Sequence, residues 1–226
     1  MKIAVLGTGM VGRAHAIRLV ELGNDVTIGT KNVAKTLSVT NPDQMGNPPF
    51  SLWHKDHSQI KLMTFADAVK DADLVFEALH GSAVLNVLKP LESFLTGKIL
   101  IDISNPLDFS KGMPPTLFVA NTDSLGEQIQ RALPKTKVIK TFNTVNAIIQ
   151  VNPQLLANGD HDIFLSGNDA GAKADVNKLL QSYGWKNIID LGDITTARGT
   201  EMMMPFWLRI FSSLKTPMFN YKIVMK

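Results

Sequence analysis

A glycine-rich turn near the start of the chain is the feature that most restricts its fold. Residues 7–12 read GTGMVG and directly follow a short β-branched run, KIAVL, at 2–6. Apolar residues then recur at helical spacing from Met10 to Leu22. The next segment, NDVTIGT at 24–30, has the pattern of a second strand. The opening segment is therefore predicted to form one strand–helix–strand unit.

The same alternation continues downstream and predicts the fold class. Eight segments have strand patterns, at 2–6, 24–30, 60–63, 73–79, 98–103, 137–140, 162–166 and 187–191. Helical patterns fill most of the later intervals, at 65–70, 82–95, 124–133 and 170–183. Strands that alternate with helices predict an α/β protein with a doubly wound parallel sheet, the Rossmann NAD(P)-binding fold. We expect this domain to span residues 1–190.

Two segments do not follow the alternation. Residues 41–57 are rich in Pro, Gly and Asn and are predicted to form a long loop. This loop is either a lid or an ordered excursion whose aromatic residues, Phe50 and Trp53, pack on the body of the protein. Residues 191–226 are predicted to form a small C-terminal helical segment with its helix at 195–214. Its high apolar content predicts a cap over the cofactor or a contact with a second subunit.

The glycine turn predicts a dinucleotide site because it lies between a strand and a helix. Gly7 permits the tight turn, Gly9 lets a pyrophosphate approach the backbone, and Gly12 lets the helix pack closely on the strand. The N-terminus of the helix adds oriented N–H groups and partial positive charge. The alternative is a cluster of glycines that packing alone requires.

The end of the second strand predicts which dinucleotide binds. About 20 residues after the turn, NAD sites place Asp or Glu on the ribose hydroxyls. This chain has Thr30, Lys31 and Asn32 there, and Lys35 follows in the next helix. A lysine attracts the 2′-phosphate that a carboxylate would repel, so we expect NADP(H), with Thr30 and Asn32 as hydrogen-bond partners. The alternative is a solvated Lys31 that holds no ligand.

Three loops follow strands at the edge of the sheet where ligands of open α/β sheets bind. They are residues 78–81, 104–107 and 141–146, and we expect them to converge at the nicotinamide. Polar side chains in these loops could hold a carboxamide or a substrate carbonyl, and as ordinary loop residues they would stabilise turns instead. The candidates are Asn105 for the cofactor and Pro106, Asn143 and Asn146 for the substrate.

Composition and charge exclude several classes of function. The 226 residues include no cysteine, which rules out disulfides, thiolate zinc sites, cysteine-ligated iron–sulfur clusters and a cysteine nucleophile. The net charge is +3 and the basic residues are scattered, so we expect no nucleic-acid partner. No apolar run reaches the roughly 20 residues that cross a bilayer. We therefore expect a cytoplasmic protein without a membrane partner.

Acid–base and metal chemistry have little support in the sequence. Among the five histidines, His80 alone follows a predicted strand and is the one candidate proton donor. His54 and His57 are three residues apart, but a predicted loop lacks the helical context of a zinc-binding pair. We therefore predict no metal site and assign no catalytic residue.

Several segments together resemble one family of proteins. They are KIAVLGTGMVG, IGTKN, DISNPLDF, KTFNTVNA, SGND and TTARGTEMMMPFW, which run over essentially the whole chain. They are similar to the NADP oxidoreductases that depend on the deazaflavin coenzyme F420, and to the nucleotide-binding domain of STEAP-type metalloreductases. The more specific segments are KTFNTVNA, after the sixth strand, and the final helix that contains Arg198.

The resemblance implies hydride transfer between NADPH and the 5-position of the deazaflavin by a cytoplasmic homodimer. It implies that Thr8, Gly9, Met10 and Val11 contact the pyrophosphate and that Thr30, Lys31 and Lys35 hold the 2′-phosphate. By the same resemblance, the residues that border the nicotinamide are Leu79, His80, Asn105 and Thr141.

The identity of the electron acceptor is left open by the sequence. Relative to the archaeal members, residues 41–57 look like an insertion, and DISNPLDFSKGMPPTL at 102–117 is longer than its counterpart. A flavin or a ferric chelate is an alternative acceptor to the deazaflavin. Two other functions also fit: an NADPH-binding regulatory module, and a reductase of small carbonyl compounds that uses His80 as its proton donor.

Overall fold

The computed structural model describes residues 1–42 and 46–226, and an eight-stranded sheet forms its centre. The strands of that sheet are β1 (Lys2–Leu6), β2 (Asp25–Thr30), β3 (Lys61–Thr64), β4 (Leu74–Glu77), β5 (Ile99–Asp102), β8 (Lys137–Thr141), β9 (Asp162–Gly167) and β10 (Asn187–Asp190). Two shorter strands, β6 (Leu107–Asp108) and β7 (Thr116–Leu117), form a separate hairpin. The order across the sheet is β10-β9-β8-β5-β4-β1-β2-β3.

Helices cover both faces of the sheet, which confirms the predicted Rossmann-like α/β fold. In β1, Ile3 and Val5 face a core shared with α1, α8 and α9, whereas Ala4 and Leu6 face a core shared with α4 to α7. The α-helices are α1 (Met10–Glu21), α2 (Val33–Ser38), α3 (Phe50–Asp56), α4 (Phe65–Lys70), α5 (Val84–Leu88), α6 (Glu92–Leu95), α7 (Leu125–Ala132), α8 (Ala147–Val151), α9 (Ala170–Tyr183) and α10 (Ala197–Leu214).

One pair of strands departs from the predicted parallel sheet. β9 runs antiparallel to β8, with Ile139 opposite Gly167 and Thr141 opposite Leu165, while β10 is parallel to β9. The segment between β8 and β9 explains the reversed direction of β9. Its α-helix, α8, is short and packs on α1, so it does not carry the chain back along the length of the sheet. The chain therefore enters β9 near the carboxyl end of β8 instead of crossing to the opposite edge. The prediction of a wholly parallel sheet is wrong at this pair.

Two predicted segments differ in their local structure. The helix predicted at 82–95 is divided into α5 and α6 by a 3-10 turn that contains Pro90, which has no backbone N–H to continue an α-helical ladder. The loop predicted at 41–57 contains α3, which follows Pro49 and buries Phe50. Residues 43–45 of that segment lie outside the described residues.

The C-terminal segment combines a long helix with a tail that turns back. The start of α10 is buried, whereas Phe206 and Leu214 are exposed. In the tail, Phe219 stacks on Trp207 with ring centroids 5.0 Å apart, and the carbonyl oxygen of Tyr221 accepts the N–H of Asp162 at 3.0 Å. A boundary at residue 190 and a role as cap or subunit contact stay predictions. None of the helices in the described part of the chain combines the length and apolar character that crossing a bilayer requires.

Candidate functional site

The glycine turn is so tight that packing requires two of its glycines. Gly7 has a φ of +126°, and a Cβ there would lie 2.5 Å from the carbonyl oxygen of Ala78. A Cβ on Gly12 would lie 2.3 Å from the carbonyl oxygen of Gly7. Gly9 differs, because a Cβ there would meet no described atom within 4 Å. Packing therefore accounts for Gly7 and Gly12, while the backbone of Gly9 is open to a ligand.

The N-terminus of α1 is suited to an anion. Its N-cap residue is Gly9, and no described side chain caps the helix there. The first turn contains no acidic residue, and Met10 is partly exposed beside it. The N–H groups of this turn and the positive end of the helix dipole therefore face the same opening.

A cavity of about 630 Å³ joins the turn to the end of β2. It brings together Thr30, Lys31, Asn32 and Lys35, and none of its described lining residues is a carboxylate. Asn32 Oδ1 accepts the backbone N–H of Lys35 at 2.8 Å and caps α2, and Thr30 Oγ1 lies 2.8 Å from Thr36 Oγ1. Lys31 and Lys35 are exposed. Lys31 and Lys35 therefore supply positive charge on this wall of the cavity. The hydrogen bonds of Thr30 and Asn32 fix the backbone that carries them.

Arg13 is a residue of this cavity that the sequence analysis missed. Its Nε donates to the carbonyl oxygen of Thr8 at 2.7 Å, and its Nη1 donates to the carbonyl oxygen of Pro48 at 2.6 Å. Its guanidinium also lies 5.4 Å from the ring centroid of Phe50 and 5.8 Å from that of Trp53. Arg13 thus ties the segment around α3 to the glycine turn. Its position directly after the last glycine of the motif is the signal that could have identified it.

A smaller cavity of about 200 Å³, here called the inner cavity, lies at the ends of β4 and β5. Its walls include Leu79, His80 and Asn105, and Val11 connects it to the glycine turn. Asn105 is held by Asn143, because its Nδ2 donates to the Asn143 carbonyl oxygen at 2.8 Å and Asn143 Nδ2 donates to Asn105 Oδ1 at 3.0 Å. The predicted loops after β4 and β5 therefore meet at one place.

A second cavity, the outer cavity, adjoins the inner one and has a volume of about 530 Å³. The hairpin of β6 and β7 forms one side of it. The residues that line both cavities are His80, Gly81, Leu107 and Phe109. The other walls of the outer cavity are Ser82, Leu85, Asp108, Phe118 and Leu125, so they are mostly apolar or aromatic.

Some predicted ligand residues lie outside these cavities. Thr141 is buried, and its Oγ1 donates to the carbonyl oxygen of Phe164 at 2.7 Å. Asn146 caps α8, and its Nδ2 donates to the carbonyl oxygen of Pro217. Pro106 lies at the base of the β6–β7 hairpin. None of the three is among the described residues that line the cavities, so their ligand contacts stay predictions.

Behind the inner and outer cavities, ionisable side chains form a buried ladder that the sequence analysis also missed. Glu77, Asp102 and Lys140 stand in register on β4, β5 and β8, and each is at most 1% exposed. Lys140 Nζ lies 2.9 Å from Asp102 Oδ2 and 2.8 Å from Oε1 of Glu201 on α10. We call these four residues the buried ladder.

Burial and neighbouring charges shift the pKa values of Glu77 and Lys140 in the ladder. Loss of solvation raises the pKa of Glu77 well above its ordinary value, and the nearby Asp102 carboxylate raises it further. Both effects favour the protonated form of Glu77. Burial alone would lower the pKa of Lys140, but the carboxylates of Asp102 and Glu201 raise it above its ordinary value. Lys140 is thus the cation that stabilises two buried anions.

His15 is a core residue and not a proton donor for the site. Its ring nitrogens lie 2.9 Å from Gln150 Oε1 and 3.2 Å from Tyr183 Oη. Burial lowers the pKa of His15 to about 4, so the imidazole is neutral at pH 7. His80, whose Nδ1 lies 2.9 Å from Ser82 Oγ, is the histidine that the described part of the chain places at the inner and outer cavities.

Several named proteins are similar to this chain in sequence. Residues 2–106 match the model of the family described as NADP oxidoreductase, coenzyme F420-dependent. The F420-dependent NADP reductase of Methanocaldococcus jannaschii is 30% identical over 212 residues, which cover 91% of this chain and 90% of that protein. Metalloreductase STEAP3 of Rattus norvegicus is 26% identical over 221 residues, which cover 96% of this chain and 38% of that longer protein.

A solved structure extends the similarity to the whole chain. It is the crystal structure of a protein from Arthrobacter sp. FB24 that is provisionally assigned as an F420-dependent NADP reductase. The two chains share 54% sequence identity and a TM-score of 0.96 over the full length of both. The resemblance noted in the sequence is confirmed. The chain belongs to the family of coenzyme F420-dependent NADP oxidoreductases and is an NADP-dependent oxidoreductase.

Proposed function

We propose that the protein transfers a hydride between NADP(H) and a deazaflavin such as coenzyme F420, or a flavin-like ring, bound beside it. The observation that carries this proposal is the pair of adjoining cavities at the ends of β4 and β5. The inner cavity reaches the glycine turn through Val11, and the outer cavity shares a wall with it that includes His80 and Phe109. Two rings held in these cavities would meet at that shared wall.

The residues present fit NADP(H). The N–H groups at the start of α1 would bind the pyrophosphate over the open backbone of Gly9, and Lys31 and Lys35 would bind the 2′-phosphate. Leu79 and Asn105 would border the nicotinamide. When bound, NADPH supplies the hydride, and the protein supplies binding and orientation.

The outer cavity fits a planar and largely apolar acceptor. Leu85, Phe109, Phe118 and Leu125 give it aliphatic and aromatic walls, which exclude water and align a ring. The relatives named as F420-dependent NADP reductases support a deazaflavin as that ring. Since the hydride carries both electrons and the reduced deazaflavin takes up one proton from solvent, this reaction requires no buried proton donor.

An acceptor assay tests the proposed function directly. NADPH and the protein are mixed without oxygen with coenzyme F420, riboflavin, a ferric chelate or a small carbonyl compound. We expect NADPH oxidation to be matched by reduction of the deazaflavin or the flavin. Turnover with the carbonyl compound alone would favour the reductase that uses His80 as its donor. NADPH binding without turnover on any acceptor would favour a regulatory module.

Lys31→Asp tests the predicted choice of cofactor. The substitution replaces attraction by repulsion at the 2′-phosphate, so we expect NADPH binding to weaken by about tenfold to a hundredfold. NADH has no 2′-phosphate, so its binding should change much less. Isothermal titration with both cofactors measures the difference. Lys178→Asp on α9 is the matched control, because it changes the net charge equally on an exposed surface outside the cavity.

An unchanged preference for NADPH in Lys31→Asp would place the 2′-phosphate away from the end of β2. A loss of NADPH affinity in Lys178→Asp as large as that in Lys31→Asp would show an effect of net charge and not of a local contact.

A further inference from the structure

We propose that Glu77 is a positioning residue for hydride transfer, and this inference rests on the function proposed above. Leu79 lines the inner cavity, and its backbone N–H donates to Glu77 Oε1 at 2.6 Å. Glu77 itself is fully buried and lines neither the inner nor the outer cavity. It therefore acts on the reacting rings through the backbone of the loop after β4.

The rest of the buried ladder holds the loop after β5 and the start of α7 in the same way. Asp102 Oδ1 accepts the backbone N–H and the Oγ–H of Ser104 at 2.9 and 2.6 Å, and Lys140 Nζ donates to the Ser104 carbonyl oxygen at 2.6 Å. Glu201 Oε2 accepts the N–H of Leu125 at 2.8 Å. Ser104 lines the inner cavity and Leu125 lines the outer one. One connected set of side chains thus fixes backbone groups in the loops after β4 and β5 and at the start of α7, all around the reaction site.

Stability alone does not account for the burial of these groups. Taking charged groups out of water costs free energy, and well-packed apolar residues of similar volume are often equally stable. An apolar side chain at position 77 would bury well but could not accept the N–H of Leu79. The ladder instead keeps the backbone around the cavities at fixed positions. Hydride transfer depends on such positions, because a misplacement of about 1 Å can lower a rate by about a hundredfold.

Glu77 is the member of the ladder whose contribution is simplest to isolate. A glutamine at this position has nearly the same shape as the glutamate. Glutamine can accept the N–H of Leu79 through its carbonyl oxygen and donate to the Asp102 carboxylate through its amide. Methionine has a similar volume and provides neither interaction.

The test compares Glu77→Gln and Glu77→Met in the full chain. The rate of hydride transfer to coenzyme F420 is measured by rapid mixing, with NADPH and with NADPH deuterated at the transferred position. NADPH affinity and thermal unfolding are measured for the same samples. We expect Glu77→Gln to keep the wild-type rate and Glu77→Met to lower it by about tenfold or more, with unchanged NADPH affinity and a full deuterium isotope effect.

A backbone substitution keeps the test decisive if Glu77→Met does not fold. An ester in place of the amide of Leu79 removes the N–H donor and leaves Glu77 in place, and it should slow hydride transfer as Glu77→Met does. A folded Glu77→Met or ester protein with the wild-type rate would overturn the positioning role, as would a Glu77→Gln protein as slow as Glu77→Met. Absence of hydride transfer to any ring in the wild type would overturn the proposed function itself, and this inference with it.

Discussion

Replacing Lys140 with alanine is expected to lower the free energy of unfolding by about 3–5 kcal/mol. The Lys140 side chain is completely buried, and its Nζ contacts carboxylate oxygens of both Asp102 and Glu201. The substitution leaves those two carboxylates without their cation, and it removes the donor to the carbonyl oxygen of Ser104. Urea unfolding followed by circular dichroism measures the change.

Lys178→Ala is the matched control for this prediction. Lys178 pairs with Asp175 at 3.1 Å while both side chains stay largely exposed, and exposed pairs contribute little to stability. A Lys140→Ala protein as stable as Lys178→Ala at pH 7 would show that the buried pair gives no net stabilisation.

Alanine at Gly9 is expected to remove most of the affinity for NADPH while leaving the protein folded. The backbone there has φ −74° and ψ 178°, which alanine adopts without strain, and its Cβ would meet no described atom within 4 Å. The added methyl group would instead occupy the space through which a pyrophosphate approaches the turn. We expect a loss of at least about tenfold in affinity, or 1.4 kcal/mol, by isothermal titration.

Alanine at two other glycines gives control variants that distinguish a loss of NADPH binding from a loss of packing. In Gly12→Ala the new Cβ would lie 2.3 Å from the carbonyl oxygen of Gly7, so this variant should lose about 1–3 kcal/mol of stability through overpacking. In Gly199→Ala, within α10, the new Cβ meets no described atom within 4 Å, and both NADPH affinity and the fold should be retained. A Gly9→Ala protein that binds NADPH like the wild type would place the pyrophosphate away from this turn.

Most of the fold could be predicted because its signals are local. Apolar runs such as 2–6 and helical patterns such as 170–183 report their own secondary structure, and both have the predicted bounds. The direction of β9 is different, because it depends on where the chain travels between 142 and 161. A strand pattern is the same in either direction, so neither β8 nor β9 reveals that they are antiparallel. The prolines of segment 41–57 predict a loop and hide the short α3, whereas the buried Phe50 agrees with the alternative of an ordered excursion packed on the body.

The candidate site also contains some residues that local sequence could predict and others that it could not. The glycine turn and the lysines after β2 follow consecutive strands of one strand–helix–strand unit. Their positions at one cavity could therefore be predicted from the order of the elements. The buried ladder draws on three separate strands and a helix near the C-terminus, and its contacts depend on strand register. The runs LVFE, ILID and KVIKT, where otherwise apolar strands carry Glu77, Asp102 and Lys140 near their ends, were the available signal.

The burial of His15 and Glu77 also determines which protons the protein exchanges when it unfolds. The pKa of His15 is about 4 when folded and 6.5 when exposed, so unfolding between these values takes up a proton, and this contribution to stability falls as the pH falls. Glu77 has the opposite sign: burial raises its pKa above the ordinary 4.5, so unfolding at a pH just above 4.5 releases a proton, and its contribution to stability falls as the pH rises. Just above pH 4.5 the two exchanges oppose each other. Each residue thus offsets the pH sensitivity that the other gives to the fold.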